Sequence, residues 1–179
     1  DKLVTCHNFY PEEFTGLSKE CFISNHERHK ELGLNTAAFV TSIEGGKLGP
    51  WPINDGLCTI ESHRYLPIEV QAQELYAVDD VIIGNAFASD EELERLANLD
   101  RDVITLRVNF NEELDEIEKS FIGKILQNRW DYSDYVIRNF NSRKELKDKD
   151  IESKTSEKFK VNNGAILLNN DNYKLYKGE

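Results

Sequence analysis

Three apolar runs, each followed by a polar turn and a helix signature, constrain this chain more than any other feature. The first is Leu3-Val4-Thr5-Cys6, the second runs from Thr36 to Ser42, and the third from Asp79 to Asn85. In the third, Val81-Ile82-Ile83 lacks polar alternation, the pattern of a parallel strand covered on both faces. After the first run, Pro11 forbids continuing a ladder, Gly16 gives a turn, and Ser18 caps a helix predicted over 18–32 that Gly33 ends. After the second comes an irregular loop over 43–57 with Gly45, Gly46, Gly49, Pro50, Pro52 and Gly56. Pro67 then opens a helix with Val70, Ala72 and Leu75 on its buried side. After the third, Ser89 and Glu92 form a capping box for a helix reaching Leu99. Strand and helix alternating three times predict an α/β fold, a parallel sheet or a (β/α) barrel. Three units are too few to close a barrel, which takes about eight.

The pattern changes near Asp100. Val103-Ile104-Thr105-Leu106-Arg107-Val108 alternates as an ordinary strand does, and 112–126 reads as an acidic amphipathic helix. The charged run 144–158 reads as an exposed loop. Residues 164–169 and 173–176 read as strands joined by Asn170-Asp171-Asn172. The expectation is a first domain over 1–99 and a separate β-rich domain over 100–179.

A formal charge of −11 repels phosphate backbones, so no nucleic-acid partner is expected. No apolar run reaches the length of a membrane span, no signal-peptide pattern opens the chain, and no membrane partner is expected. Cys6, Cys21 and Cys58 are odd in number and fit no metal-ligand spacing, which fits reduced thiols in a cytoplasmic protein. His26 and His29 share a helix face, but the spacing is not that of a zinc protease, and neither a metal nor a cofactor is expected. The chain has no methionine, opens two residues before a strand and closes on Tyr176-Lys177-Gly178-Glu179. It is therefore expected to be part of a longer protein, and inactive by itself.

Chemistry in α/β enzymes gathers where buried strands end. His7, Asn8 and Tyr10 stand at the first such end and Asn85 at the third. The loop after the second strand carries Lys47 and Trp51, then Thr59, Glu61, His63 and Arg64. Lys47 or Arg64 can pair with a phosphate or carboxylate, or remain surface charge. The N–H groups near Ser89 can receive an anion, or the serine serves only as a cap.

Several segments in order resemble one family. They are His7-Asn8-Phe9-Tyr10-Pro11 with Thr15-Gly16-Leu17-Ser18; Ala37-Ala38-Phe39; Lys47-Leu48-Gly49-Pro50; the stretch from Gly56 to Arg64; and that from Asp79 to Ser89. Beyond Asp100 follow Asn128-Arg129 with Asp131, Val136-Ile137-Arg138 with Ser142-Arg143, and the terminal Tyr176-Lys177-Gly178-Glu179. The chain resembles the bacterial 6-phospho-N-acetylmuramidases, outer surface protein-like proteins with a TIM barrel followed by a cyclophilin-like domain. The resemblance implies the last three βα units of a (β/α)8 barrel and an incomplete cyclophilin-like β domain. An acidic residue is expected where Asn85 stands, and a proline where Cys58 stands.

What the resemblance implies for function is hydrolysis, in peptidoglycan recycling, of the disaccharide of 6-phospho-N-acetylmuramic acid and N-acetylglucosamine. The alternative is a non-catalytic binder or sensor of phosphorylated muramyl sugars. Most glycosidases use two carboxyl groups, one of them an acid. Glu61 is the candidate acid, with backbone capping as its other reading. His7, Asn8, Tyr10, His63, Arg64 and Asn85 are candidate substrate contacts at the barrel mouth. Arg129, Asp131, Arg138 and Arg143 are candidate contacts from the second domain, and Asp131 with Arg129 or Arg138 also reads as a structural ion pair.

Overall fold

The structure, a computed structural model, describes residues 3–45, 55–110, 113–131, 133–154 and 161–179. Lys47 and Trp51 lie outside the described residues, as do Gly46, Gly49, Pro50 and Pro52 of the same loop. The chain divides into two units, Asp1–Arg107 and Val108–Glu179.

In the first unit, β1 (Val4–Cys6), α1 (Lys19–Glu31), β2 (Asn35–Val40), α2 (Ile68–Glu74), β3 (Asp80–Ile83) and α3 (Asp90–Ala97) follow in order. The strands form one parallel sheet in the order β1-β2-β3, with Val4 opposite Asn35 and Ala37 opposite Asp80. Ser18 caps α1 by accepting the Cys21 N–H at 3.2 Å, and Gly33 leaves the helix in the left-handed region with φ 71°. At α3 the Ser89–Glu92 capping box forms as the sequence predicts.

All three helices pack on one face. Phe22 of α1, Ile68 and Ala72 of α2, and Leu96 of α3 surround Ala38 and Val40 of β2, with Ile60, Leu75 and Val78 completing the core. A progressive strand order joined by right-handed crossovers puts every helix on the same side. This corrects the reading of Val81-Ile82-Ile83. Val81 and Ile83 pack on the core, whereas Ile82 points to the other face and is 37% exposed. In α2 the buried apolar residues are Ile68 and Ala72, followed by Leu75, a spacing of four then three, with Glu69 and Gln71 buried beside them; Val70 is half-buried.

The β-rich second domain is not what the described residues form. Residues 104–108 join no ladder, and Ile104 is 80% exposed. A strand is defined by its partner, and no described segment runs beside this one. The acidic helix shrinks to α4 (Glu116–Lys119), capped by Asp115 and Glu118. A second short helix, α5, spans Ser142–Glu145. The predicted hairpin is replaced by a 3₁₀ helix over Asp171–Tyr176. There Asn170 accepts the Asn172 N–H on its side chain, the run kinks at Lys174 with φ 50°, and the chain returns so that the Gly178 N–H meets the Asn169 carbonyl at 2.8 Å and the Asn169 N–H the Glu179 carbonyl at 3.1 Å. Among the described residues of this unit, the one strand-like pairing is the antiparallel bridge of Asn128 with Asn139. It is flanked by Arg129 N–H to the Arg138 carbonyl at 2.9 Å and Phe140 N–H to the Gln127 carbonyl at 2.7 Å.

Candidate functional site

At the carboxyl ends of the strands, residues 57–61 cross from β2 to the loop after β1. The Thr59 N–H donates to the Phe39 carbonyl at 3.0 Å, and its hydroxyl accepts the Phe39 N–H and donates to the Asn8 carbonyl, both at 2.9 Å. Leu17 N–H donates to the Thr59 carbonyl at 3.0 Å, and Glu61 N–H returns to the Leu17 carbonyl at 2.9 Å. Tyr10 N–H reaches the Cys58 carbonyl at 3.1 Å. These bonds fix the backbone around Asn8 and Tyr10, with the Asn8 side chain exposed and Tyr10 half-buried.

Glu61 and Arg64 flank the one-turn helix Glu61–His63. The Arg64 guanidinium donates Nε to Glu61 Oε1 at 2.8 Å and Nη2 to Oε2 at 2.6 Å, while Nη1 holds the Tyr10 and Gly56 carbonyls at 3.0 and 3.2 Å. The same carboxylate accepts the Phe14 N–H at 2.9 Å and the Gly16 N–H at 2.7 Å. Arg64, above all, and these N–H groups hold the Glu61 carboxyl down at about 2. Ionised at neutral pH and bound by four donors, it carries no proton for a leaving group. Arg64, 2% exposed, is likewise a staple between loops rather than a free cation.

His7 does not face the strand ends. Its ring lies under α1, with ring centroids 4.7 Å from Phe22 and 5.5 Å from His29. Burial, with His29 and His26 nearby, lowers its titration below the usual imidazole value. Neighbours on an extended chain point to opposite sides, so consecutive residues such as His7 and Asn8 do not share a face. His63 is also buried away, with Nε2 at 2.9 Å from Glu74 Oε2; burial lowers its titration against the pull of that carboxylate.

Asn85 closes a second network. Its Oδ1 accepts the Ser42 N–H at 2.7 Å and the Thr41 hydroxyl at 3.1 Å. Gln71 accepts the Thr41 N–H at 2.8 Å and donates to the Thr41 and Leu66 carbonyls at 2.9 and 2.8 Å. Glu92 accepts the Ser42 hydroxyl and the N–H groups of Ile43 and Ser89 at 2.9 and 3.1 Å. Burial pushes the Glu92 carboxyl up, but these donors outweigh it and hold it low. Thr41, Ser42 and Gln71 escape sequence reasoning, which registers Glu92 only as a cap. The second half of the capping box was the available signal, since a capping glutamate 1% exposed serves more than its own helix.

The second unit holds a charge cluster of its own. Arg129 grips Asp131 with two bonds of 2.7 Å, and Arg138 Nη2 adds Asp131 Oδ2 at 3.0 Å and the Asp131 carbonyl at 2.8 Å. The Arg129 pair, first, holds the Asp131 carboxyl down at about 2. Glu179 Oε1 lies 3.5 Å from Nη1 of both arginines. Arg143 stacks on Tyr176 at 5.2 Å and donates to the Leu175 carbonyl. Among the described residues, no three His, Cys, Asp or Glu side chains are grouped to hold a metal ion, and no helix is long and apolar enough to cross a membrane.

Family models for 6-phospho-N-acetylmuramidase match the chain twice, the N-terminal model over residues 1–98 and the C-terminal model over 104–179. No curated protein matches. A solved structure of an uncharacterized B. cereus protein is 47% identical with a TM-score of 0.83, covering 98% of this chain and 51% of its own. A conserved Enterococcus faecalis protein of unknown function is 30% identical with a TM-score of 0.69, covering 97% of this chain and 46% of its own. The chain thus spans about half the length of the solved structures it matches. Matched over both regions, the chain belongs to the 6-phospho-N-acetylmuramidase family.

Proposed function

We propose that the protein is a cytoplasmic glycoside hydrolase that cleaves the disaccharide of 6-phospho-N-acetylmuramic acid and N-acetylglucosamine during peptidoglycan recycling. The observation that carries this reading is the match of both family regions, in order, over residues 1–98 and 104–179. The reading includes the barrel and the cyclophilin-like domain. The singly wound three-stranded sheet is the arrangement that the last three units of a (β/α)8 barrel require. In the first unit the proposed substrate contacts are Asn8, Tyr10 and Asn85, at the carboxyl ends of the strands; in the second they are Arg129, Asp131, Arg138 and Arg143. Within this proposal Glu61 and Arg64 position the loop carrying Phe14 and Gly16, and another carboxyl is the general acid.

The test is hydrolysis of the phosphorylated disaccharide by the intact protein, beside the same disaccharide without phosphate. Cleavage of the phosphorylated form alone is expected, and cleavage of neither overturns the enzymatic reading. A second reading is a binder of phosphorylated muramyl sugars. Its support is the Asn85 amide, engaged with Thr41 and Ser42 where the family pattern calls for an acid. Calorimetric binding without turnover would select it.

A further inference from the structure

Glu92 holds more than a helix cap needs. A capping box asks one bond of its glutamate, back to the N-cap N–H. At α3 that bond is Ser89 N–H to Oε2 at 3.1 Å. The same buried carboxylate takes three further donors from the chain after β2. The Ser42 hydroxyl donates to Oε2, and the Ile43 and Glu44 N–H groups donate to Oε1 at 2.9 and 3.3 Å. The Ser42 oxygen in turn accepts the Gly45 N–H at 2.8 Å. Around this tie the backbones touch. A Cβ on Gly45 would overlap the Phe87 carbonyl oxygen and lie 2.6 Å from Ala88 Cα, and one on Gly84 would lie 2.5 Å from the Leu57 carbonyl oxygen. Glu92 thus joins the segment after β2 to the segment after β3 where neither has room to shift.

Asn85 lies between them, and its amide has one possible direction. Oδ1 accepts the Ser42 N–H at 2.7 Å and the Thr41 hydroxyl at 3.1 Å. The Ser42 N–H belongs to the turn that Glu92 binds. The Thr41 oxygen already accepts the Leu57 N–H at 2.9 Å, and Gln71 holds Thr41 at both its N–H and its carbonyl. A backbone N–H only donates, so a reversed amide would set Nδ2 against it. Oδ1 therefore faces Thr41 and Ser42, and Nδ2 is turned from them. Among the described residues Nδ2 donates to none.

We propose that Glu92 is a positioning residue, which acts through Ser42 to fix the Asn85 amide so that Nδ2 serves as a hydrogen-bond donor to the substrate. The proposal deepens the proposed function and rests on it for Asn85 as a substrate contact. Glu92 itself touches no substrate.

Glu92→Gln is the isosteric test. Oε1 and Oε2 each take a backbone N–H, so either placing of the new NH2 sets two donors against each other. In the intact protein kcat/KM for the phosphorylated disaccharide should fall about tenfold or more, as for a displaced contact. Asn85→Ala should also lower it, and adding Glu92→Gln to Asn85→Ala should lower it no further, since no amide is left to aim. Multiplying losses, or unchanged kcat/KM in Glu92→Gln, overturns the proposal. Ser42→Ala should repeat the effect and Ser42→Thr, which keeps the hydroxyl, should restore most of it; this pair decides if Glu92→Gln does not fold. A second readout needs no turnover. The Asn85 side-chain NH2 resonance, recognised by its loss in Asn85→Asp, should move in Glu92→Gln and Ser42→Ala and return in Ser42→Thr. A resonance unmoved in the folded variants overturns the proposal whether or not the protein is an enzyme. Absence of turnover in the wild type removes the enzymatic reading and leaves the resonance to decide the role of Glu92.

Discussion

Arg64 closes both arms of its fork on Glu61, Nε on one carboxylate oxygen at 2.8 Å and Nη2 on the other at 2.6 Å. The two residues are three apart, and the turn between them aligns the pair. The Arg64 side chain is 1% exposed and that of Glu61 26%, so most of the interaction is shielded from water. Glu61→Gln keeps the shape but removes the charge opposite a buried guanidinium. A stability loss of about 2 kcal/mol is expected, read as a lower urea midpoint with unchanged slope. An unchanged midpoint would show that the pair does not hold the fold.

The same pair dictates a pH response. The Glu61 carboxyl titrates at about 2 in the folded chain, below its unfolded value of about 4.3. The unfolded state therefore binds the proton first as pH falls. The contribution is fully present above pH ~4.3 and disappears toward pH ~2. The stability gap between the wild type and Glu61→Gln should narrow across that window. A gap constant from neutral pH down to pH ~2 would contradict the depressed titration.

Gly16 is the backbone counterpart of this pair. A Cβ there would lie 2.6 Å from Glu61 Oε2 and 2.9 Å from the Glu61 backbone. Gly16→Ala should cost about 1–3 kcal/mol through overpacking, visible as a drop in Tm. Gly33→Ala serves as the comparison, because a Cβ there meets nothing within 4 Å and its cost comes from the left-handed φ alone.

His7 carries a second pH dependence, at higher pH. Its folded titration lies below the ordinary imidazole value because it is buried beside His29 and His26. As pH falls below ~6.5, the unfolded state takes up the proton that the folded state resists, and stability falls with it. Lys30 and Asp79 also act on the neighbouring His26, in opposite directions. His7→Phe keeps a ring against Phe22 and should lose less Tm than the wild type between pH 7.5 and 5.5, a window of about one unit on each side of ~6.5. Equal losses would place the acid sensitivity elsewhere.

Asn85 gives a more local test. Its carbonyl oxygen takes two donors, so Asn85→Ala leaves the Ser42 N–H and the Thr41 hydroxyl unpaired at a cost of about 1–3 kcal/mol. Asn85→Asp retains an acceptor there and should fold at nearly the wild-type Tm. A large loss in Asn85→Asp would mean that the amide nitrogen matters as well.

The first unit was readable because its signals are local. Apolar runs of strand length, the Ser18 cap, Gly33 and the Ser89–Glu92 box each act within a few residues. The family was readable from short motifs kept in order. The stretch beyond Asp100 was not, because alternation such as Val103 to Val108 only becomes a strand when something pairs with it. The site escaped for a related reason. Glu61 meets Phe14 and Gly16 across more than 40 positions of chain, and nothing near Glu61 announces that. Nor does local sequence tell that His7 turns under α1 while Asn8 stays outside.

Thr59 bonds to Phe39 of β2 and to Asn8 after β1, and Leu17 bonds to its carbonyl. The segments before α1 and around residues 57–64 are thus one exchangeable part rather than two. Chimeras between family members that swap only one of them would bring mismatched halves together. Loop grafting in this family should move residues 7–17 and 56–64 as a set.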